Sequence, residues 1–132
     1  MIIADSSAWI EGFRGTGSPV HLALHRALQD RQRIAITEPV VMELLAGAST
    51  IHELRATRAR LLALPMLRVE GLDTYEGAAA VWRACRAAGE QVRNTIDCLI
   101  AAVAIREGAS VLHGDRDFDV IARHTPLRIE PV

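Results

Sequence analysis

The stretch Asn94–Ala104, NTIDCLIAAVA, constrains the fold more than any other part of the chain. Apart from its cap residues and Asp97 it is apolar on every side of a helix, through Leu99, Ile100, Ala101, Ala102, Val103, Ala104 and on to Ile105. A helix without a polar face belongs in the centre of a domain, with other elements packed all around it. Asn94 suits the N-cap, where its side chain can accept a hydrogen bond from a free N–H of the first turn. Asp97 then falls at the third helical position, near the positive end of the helix dipole. It reads either as half of a capping box or as a carboxylate held at the lip of the core for chemistry.

The rest of the chain alternates short apolar runs with helical patterns. Met1–Ala4 reads as a buried strand that opens through Asp5-Ser6-Ser7 into a helical turn or two over Ala8–Phe13. Ser18-Pro19 starts a second helix over Val20–Asp30, with Pro at its first position. His21 and His25 share a face there, without the H-E-x-x-H pattern of a zinc site, and read as solvated. Arg33–Ile36 is a second strand, with Thr37 as cap of the helix Pro39–Gly47. Thr50–Leu64 is amphipathic, Met66–Val69 a third strand, and Leu72–Ala88 a helix closed by Gly89. Ala109–Leu112 and Leu127–Ile129 are the last strands, around an apolar turn at Phe118, Val120 and Ile121. This alternation predicts an α/β fold, one domain over residues 1–132, with a central mostly parallel sheet of about four or five short strands flanked by helices.

Acidic residues recur where such a sheet binds ligands, at the carboxyl ends of strands and the starts of buried helices. Asp5 follows the first strand, where its alternative role is N-cap. Glu43 is the only charge in PVVMELLAG, and points outward, pairs with an Arg, or serves a site. Asp115, Asp117 and Asp119 follow VL at the end of the fourth strand. Brought together, Asp5, Glu43, Asp97 and Asp115 repel one another and need a cation. Carboxylates without clustered Cys or His point to Mg²⁺ or Mn²⁺, not Zn²⁺. Such ions can activate water for in-line attack on a phosphodiester. Ser6, Arg93 and Arg116 are candidates for contacts to the ligating carboxylates or to phosphate.

Composition limits the partners. The 132 residues carry a net charge of −1, and all 15 basic residues are Arg. No global basic field favours nucleic acid, so an RNA-binding version of this chain needs a local Arg rim. Arg14, Arg93 and Arg116 are the expected members. Cys85 and Cys98 form no C-x-x-C pair, which fits a reducing, cytoplasmic setting. The N-terminus lacks a basic segment of a signal peptide, and no stretch is long enough to span a membrane.

The segments IIADSSAWIE, TEPVVMELLAG, RNTIDCLIAAVAIREGA and VLHGDRDFDVIA, in this order and spacing, resemble the PIN domain, and within it the VapC-type toxins of bacterial toxin–antitoxin pairs. The resemblance spans the chain from end to end. It implies a Mg²⁺- or Mn²⁺-dependent endoribonuclease, homodimeric, acting on an RNA substrate and silenced by a small antitoxin. The family's acidic positions fall on Asp5, Glu43, Asp97 and Asp115, with Asp117 as an extra, and its hydroxyl position on Ser6. His113 departs from the small hydroxyl or amide residue of relatives and is expected to touch phosphate instead.

Other readings are weaker. A receiver domain needs a late Lys, a haloacid dehalogenase D-x-D, and a dinucleotide-binding fold G-x-G-x-x-G; none is present. A catalytically silent binding module, or a nuclease acting on DNA, remains as the alternative. Val40–Ala48 and Ile51–Leu64 offer more apolar surface than one side of a small sheet needs, so an antitoxin segment is expected across them.

Overall fold

A computed structural model describes residues 1–30 and 32–132. Along the chain run β1 (Ile2–Ala4), α1 (Ser6–Arg14), α2 (Pro19–Gln29), β2 (Ile34–Ala35), α3 (Glu38–Ala46) and α4 (Ile51–Leu62). They are followed by α5 (Gly71–Ala87), α6 (Thr95–Glu107), β3 (Ser110–Leu112), α7 (Arg116–His124) and β4 (Arg128–Ile129). The strands form one sheet in the order β2-β1-β3-β4, and every pairing is parallel. Ile2 stands opposite Ile34 on one side and Ser110 on the other, and Ala4 lies opposite Leu112. The chain steps from β1 to β2, then returns across β1 to β3. The direction of winding therefore reverses between β1 and β3, and their carboxyl ends open on a crevice where α/β sheets place ligands.

Strands so short are held by burial on both faces. Ile3, Ala4, Ala35 and Val111 are fully buried, as parallel strands covered by helices require. Helix α6 lies in the middle of the molecule, with Cys98, Ile100, Ala101, Val103 and Ala104 out of contact with solvent. Asn94 caps it by accepting the Ile96 N–H at 2.9 Å. At the other end Gly108 adopts φ +65, a left-handed turn that other residues resist, and the chain drops directly into β3. Phe118 and Ile121 of α7 close the core from the far side and are likewise fully buried.

The expected third strand over Met66–Val69 is not formed. The segment keeps one isolated parallel bridge, Ile36 to Met66. Its next free donor, the Val69 N–H, is taken by the Glu38 carboxylate at 2.8 Å, so the ladder does not extend. The first helix is fuller than the sequence pattern suggests, because Asp5 caps it and it begins at Ser6. Thr37 stands at the N-cap of α3 as expected, but its hydroxyl makes no capping bond and is buried without a partner among the described residues. No helix among the described residues is long and apolar enough to cross a membrane.

Because α6 is packed on all sides, truncating it costs more than truncating a surface apolar residue. Ile100→Ala should lower stability by about 2–5 kcal/mol in urea unfolding, and Ile51→Ala, which is 63% exposed, by less than about 0.5 kcal/mol.

Candidate active site

The backbone N–H of Asp5 donates to the Leu112 carbonyl at 2.9 Å, closing the β1–β3 ladder at its carboxyl end. The Asp5 side chain turns into the crevice beyond. Its Oδ2 caps α1, accepting from the Ser7 N–H at 3.1 Å and the Ser7 hydroxyl at 2.6 Å. Its Oδ1 is buried and has no hydrogen-bond partner among the described residues. The Ser7 Oγ in turn accepts the Gly114 N–H at 2.9 Å, which ties the loop after β3 to the start of α1.

That loop delivers the next acids. Asp115 caps α7, its Oδ1 accepting the Asp117 N–H at 3.0 Å. Asp117, only 3% exposed, accepts both the backbone N–H and the Nε of Arg93, at 3.2 and 3.1 Å. A terminal guanidinium nitrogen of Arg93 reaches Asp115 at 3.2 Å. Asp97 enters from the first turn of α6, and ligand oxygens of Asp97, Asp115 and Asp117 lie within 4.8 Å of one another. Glu43 of α3 accepts the Ser6 hydroxyl at 3.2 Å. Asp5, Ser6, Glu43, Arg93, Asp97, Asp115 and Asp117 line one cavity of about 370 Å³ with Ser7, Ile10 and Asn94.

Among the described residues, five carboxylates thus share this cavity with one guanidinium. Burial pushes the Asp97 carboxyl up to about 7, and the charges of Asp5, Asp115, Glu43 and Asp117 push the same way. Burial also raises Asp5, against the opposing hydrogen bonds from Ser7. Glu43 is raised by burial and by the Asp5 charge, against its bond from Ser6. Three acids that resist ionisation, Asp5, Glu43 and Asp97, with a buried carboxylate oxygen left unpartnered and no Cys or His in the lining among the described residues, suit a hard divalent cation. The residues present fit such an ion, with Asp5, Asp97, Asp115 and Asp117 as the candidate ligands and Glu43 beside them.

Asp5, Glu43, Asp97 and Asp115 come together as the sequence suggests. Asp5 both caps α1 and lines the cavity, so its two readings are compatible. The capping-box reading of Asp97 is not supported: Asn94 bonds Ile96, and no Asp97–Asn94 hydrogen bond occurs among the described residues. Asp117, read only as an extra, is the most buried acid after α7 begins. Its signal was the D-x-D pattern, which puts cap and second helical residue on one side of a helix start.

The expected Arg rim reduces to Arg93. Arg14 lies in a neighbouring groove with Glu43, and Arg116, exposed at the first turn of α7, is absent from the acidic cavity. His113 does not face the cavity either. Its Nδ1 accepts the Asp115 N–H at 3.0 Å, its Nε2 meets Asp119 at 3.2 Å, and its ring packs on Phe118. It shapes the loop instead of offering a phosphate contact. Ser7, next to Ser6 after the first strand, pins the two strand ends together through Asp5 and the Gly114 N–H.

Raised carboxyls fix the sign of a pH effect in the metal-free protein. The folded chain binds protons that the unfolded chain releases, so stability rises as pH falls from about 8 towards about 5. Asp97→Asn should flatten this slope and leave the metal-free protein as stable at pH ~7.5 as the wild type, or more so, in thermal unfolding. A large loss of metal-free stability would restore the capping role.

The PIN domain family profile matches residues 2–124. Ribonuclease VapC11 of Mycobacterium tuberculosis is 46% identical over 97% of this chain and 96% of its own length. A DNA-bound VapBC structure from Salmonella typhimurium superposes with a TM-score of 0.77 at 22% identity, covering 98% of this chain and 96% of that one. VapC20 of Mycobacterium tuberculosis, a sarcin-ricin loop cleaving toxin, does so with a TM-score of 0.67 at 20% identity, covering 97% and 99%. The chain belongs to the PIN domain family, among its VapC-type members.

Proposed function

We propose that this protein is the toxin of a toxin–antitoxin pair, an endoribonuclease that hydrolyses RNA phosphodiesters with Mg²⁺ or Mn²⁺ held by Asp5, Asp97 and Asp115. Glu43 and Asp117 complete the acidic set. The observation that carries this reading is the buried, unpartnered Oδ1 of Asp5 in a cavity lined by four further carboxylates. When bound, the cation supplies an activated water and neutralises charge at the phosphodiester. RNA is chosen over DNA because the relative at 46% identity is named a ribonuclease. The reaction would run in the cytoplasm, where RNA is available.

The chain's own residues set the geometry around that chemistry. Ser6 holds Glu43 towards the cavity, and Ser7 fixes the loop that carries Asp115. Arg93 bridges Asp115 and Asp117, yet its side chain stays 65% exposed, within reach of an incoming phosphate. The helix N-termini of α1, α6 and α7 meet here, and their positive ends favour the anionic groups at the site.

A groove of about 770 Å³ between α1, α3 and α4 fits the antitoxin segment. Ile10 and Phe13 on α1 are 39% and 43% exposed along it, and Met42 and Ile51 lie open on the neighbouring helices. Ile10 and Glu43 line both this groove and the acidic cavity, so a bound segment could reach the carboxylates. The groove carries both signs, Arg14 and Arg60 against Glu43 and Glu53, as a surface for a polypeptide should. A homodimer, as the family resemblance implies, belongs to the same reading.

Cleavage of a panel of structured RNAs tests the proposal. Cutting should require Mg²⁺ or Mn²⁺, fall by about a hundredfold or more in Asp97→Asn and Asp5→Asn, and by about tenfold in Ser6→Ala. Cutting that survives EDTA would sink it.

A further inference from the structure

Among the described residues Arg93 is the one cation lining the acidic cavity, and it is held there at two strengths. Its backbone N–H and its Nε both donate to Oδ2 of Asp117, at 3.2 and 3.1 Å, and that carboxylate side chain is only 4% exposed. A terminal nitrogen donates to Oδ1 of Asp115 at 3.2 Å, where the Asp115 side chain is 30% exposed. Two donors on one buried oxygen make an anchor. A single contact between groups open to water is screened and exchanges easily.

Resting on the ribonuclease reading, we propose that Arg93 serves the site in two places. In the cation-free chain it bridges Asp115 and Asp117 as an internal counter-cation. Once a divalent cation is bound, it pivots about its bond to Asp117 and grips the substrate phosphate with its terminal nitrogens.

The cluster itself drives this exchange. Ligand oxygens of Asp97, Asp115 and Asp117 lie within 4.8 Å of one another, and Arg93 bonds two of these three residues. A cation held by the set stands beside the guanidinium, competes with it for carboxylate oxygens and repels it. A phosphodiester entering the cavity brings the anion that the displaced end lacks, and the planar fork of Arg matches two phosphate oxygens. The anchor keeps the movement small. Arg93 precedes the N-cap of α6, and Asp117 lies in the first turn of α7, so its backbone is fixed between two helix starts. Only the outer end of the side chain has to turn. Removing Arg93 should therefore have opposite effects on the two functions: tighter cation binding and slower cutting. A residue that merely props up the site would lower both.

Mn²⁺ titration of the full chain without RNA, followed by the paramagnetic resonance of free Mn²⁺, tests this. Arg93→Gln should bind Mn²⁺ about threefold tighter than the wild type, because a competitor for Asp115 is gone. In metal-supported cleavage of RNA the same variant should lose about ten- to a hundredfold in kcat. Arg93→Lys keeps the charge without the fork, and should return Mn²⁺ affinity towards the wild-type value while restoring only part of kcat. Side-chain NMR of the wild type gives a reading that needs no variant to fold. The Arg93 Nε–H should stay protected from water throughout, while the terminal N–H signals shift with Mg²⁺ and again when short oligodeoxyadenylate is added. Unchanged or weaker Mn²⁺ binding in Arg93→Gln, with a wild type that binds Mn²⁺ and cuts RNA, would overturn the inference. So would a kcat within about twofold of the wild type in that variant. A wild type that binds no Mn²⁺ would remove the ribonuclease reading, and this inference with it.

Discussion

Mutual repulsion among carboxylates taken out of water is the interaction around which this molecule is arranged. Asp97 sits at the start of the most buried helix, and its proton is held up to about 7 by burial and by four neighbouring acids. Such an arrangement is unfavourable in the metal-free chain, where like charges and desolvation add. It persists because the surrounding fold over-determines each position. Asp5 is tied to the end of β1 and to Ser7, Asp115 to the start of α7, and Asp117 to Arg93. The site is a cluster of like charges whose repulsion a bound cation would relieve.

The fold supplies that rigidity through topology. A parallel sheet whose winding reverses between β1 and β3 brings two strand ends, and the helix starts that follow them, to one crevice. Chain direction then puts the N-termini of α1 and α7 there, and α6 arrives at the same place because it must fill the centre of the core. The two apolar grooves on either side differ in charge. The groove between α1, α3 and α4 carries both signs and shares Glu43 with the acidic cavity; among the described residues the groove between α5 and α6 is charged by Arg83 and Arg86 alone.

Much of this was legible in the chain itself. An apolar helix interrupted by Asp97, a strand ending in Asp5, and Glu43 alone in an apolar run are local patterns with few physical explanations. Convergence of these acids followed from the alternation of strands and helices. What escaped sequence reading were outcomes decided by competition between distant groups. The Met66–Val69 segment has strand composition, but Glu38 captures its next backbone donor. His113 is drawn to the Asp115 backbone and Asp119, not to a ligand. Arg14 and Arg116 lie close in sequence to residues of the acidic cavity, yet a helix points successive side chains in different directions, and of the three expected Arg it is Arg93 that reaches the acids.

Proton release on Mg²⁺ or Mn²⁺ binding tests the central claim most directly. Titration calorimetry at about pH 7, repeated in buffers of different ionisation enthalpy, counts the protons expelled per cation bound. If the cluster resists ionisation until a cation neutralises it, binding releases protons, and Asp97→Asn both weakens binding and reduces the release. Binding whose heat is the same in every buffer, or no binding at all, would show that the carboxylates are already content without the ion and would contradict this account.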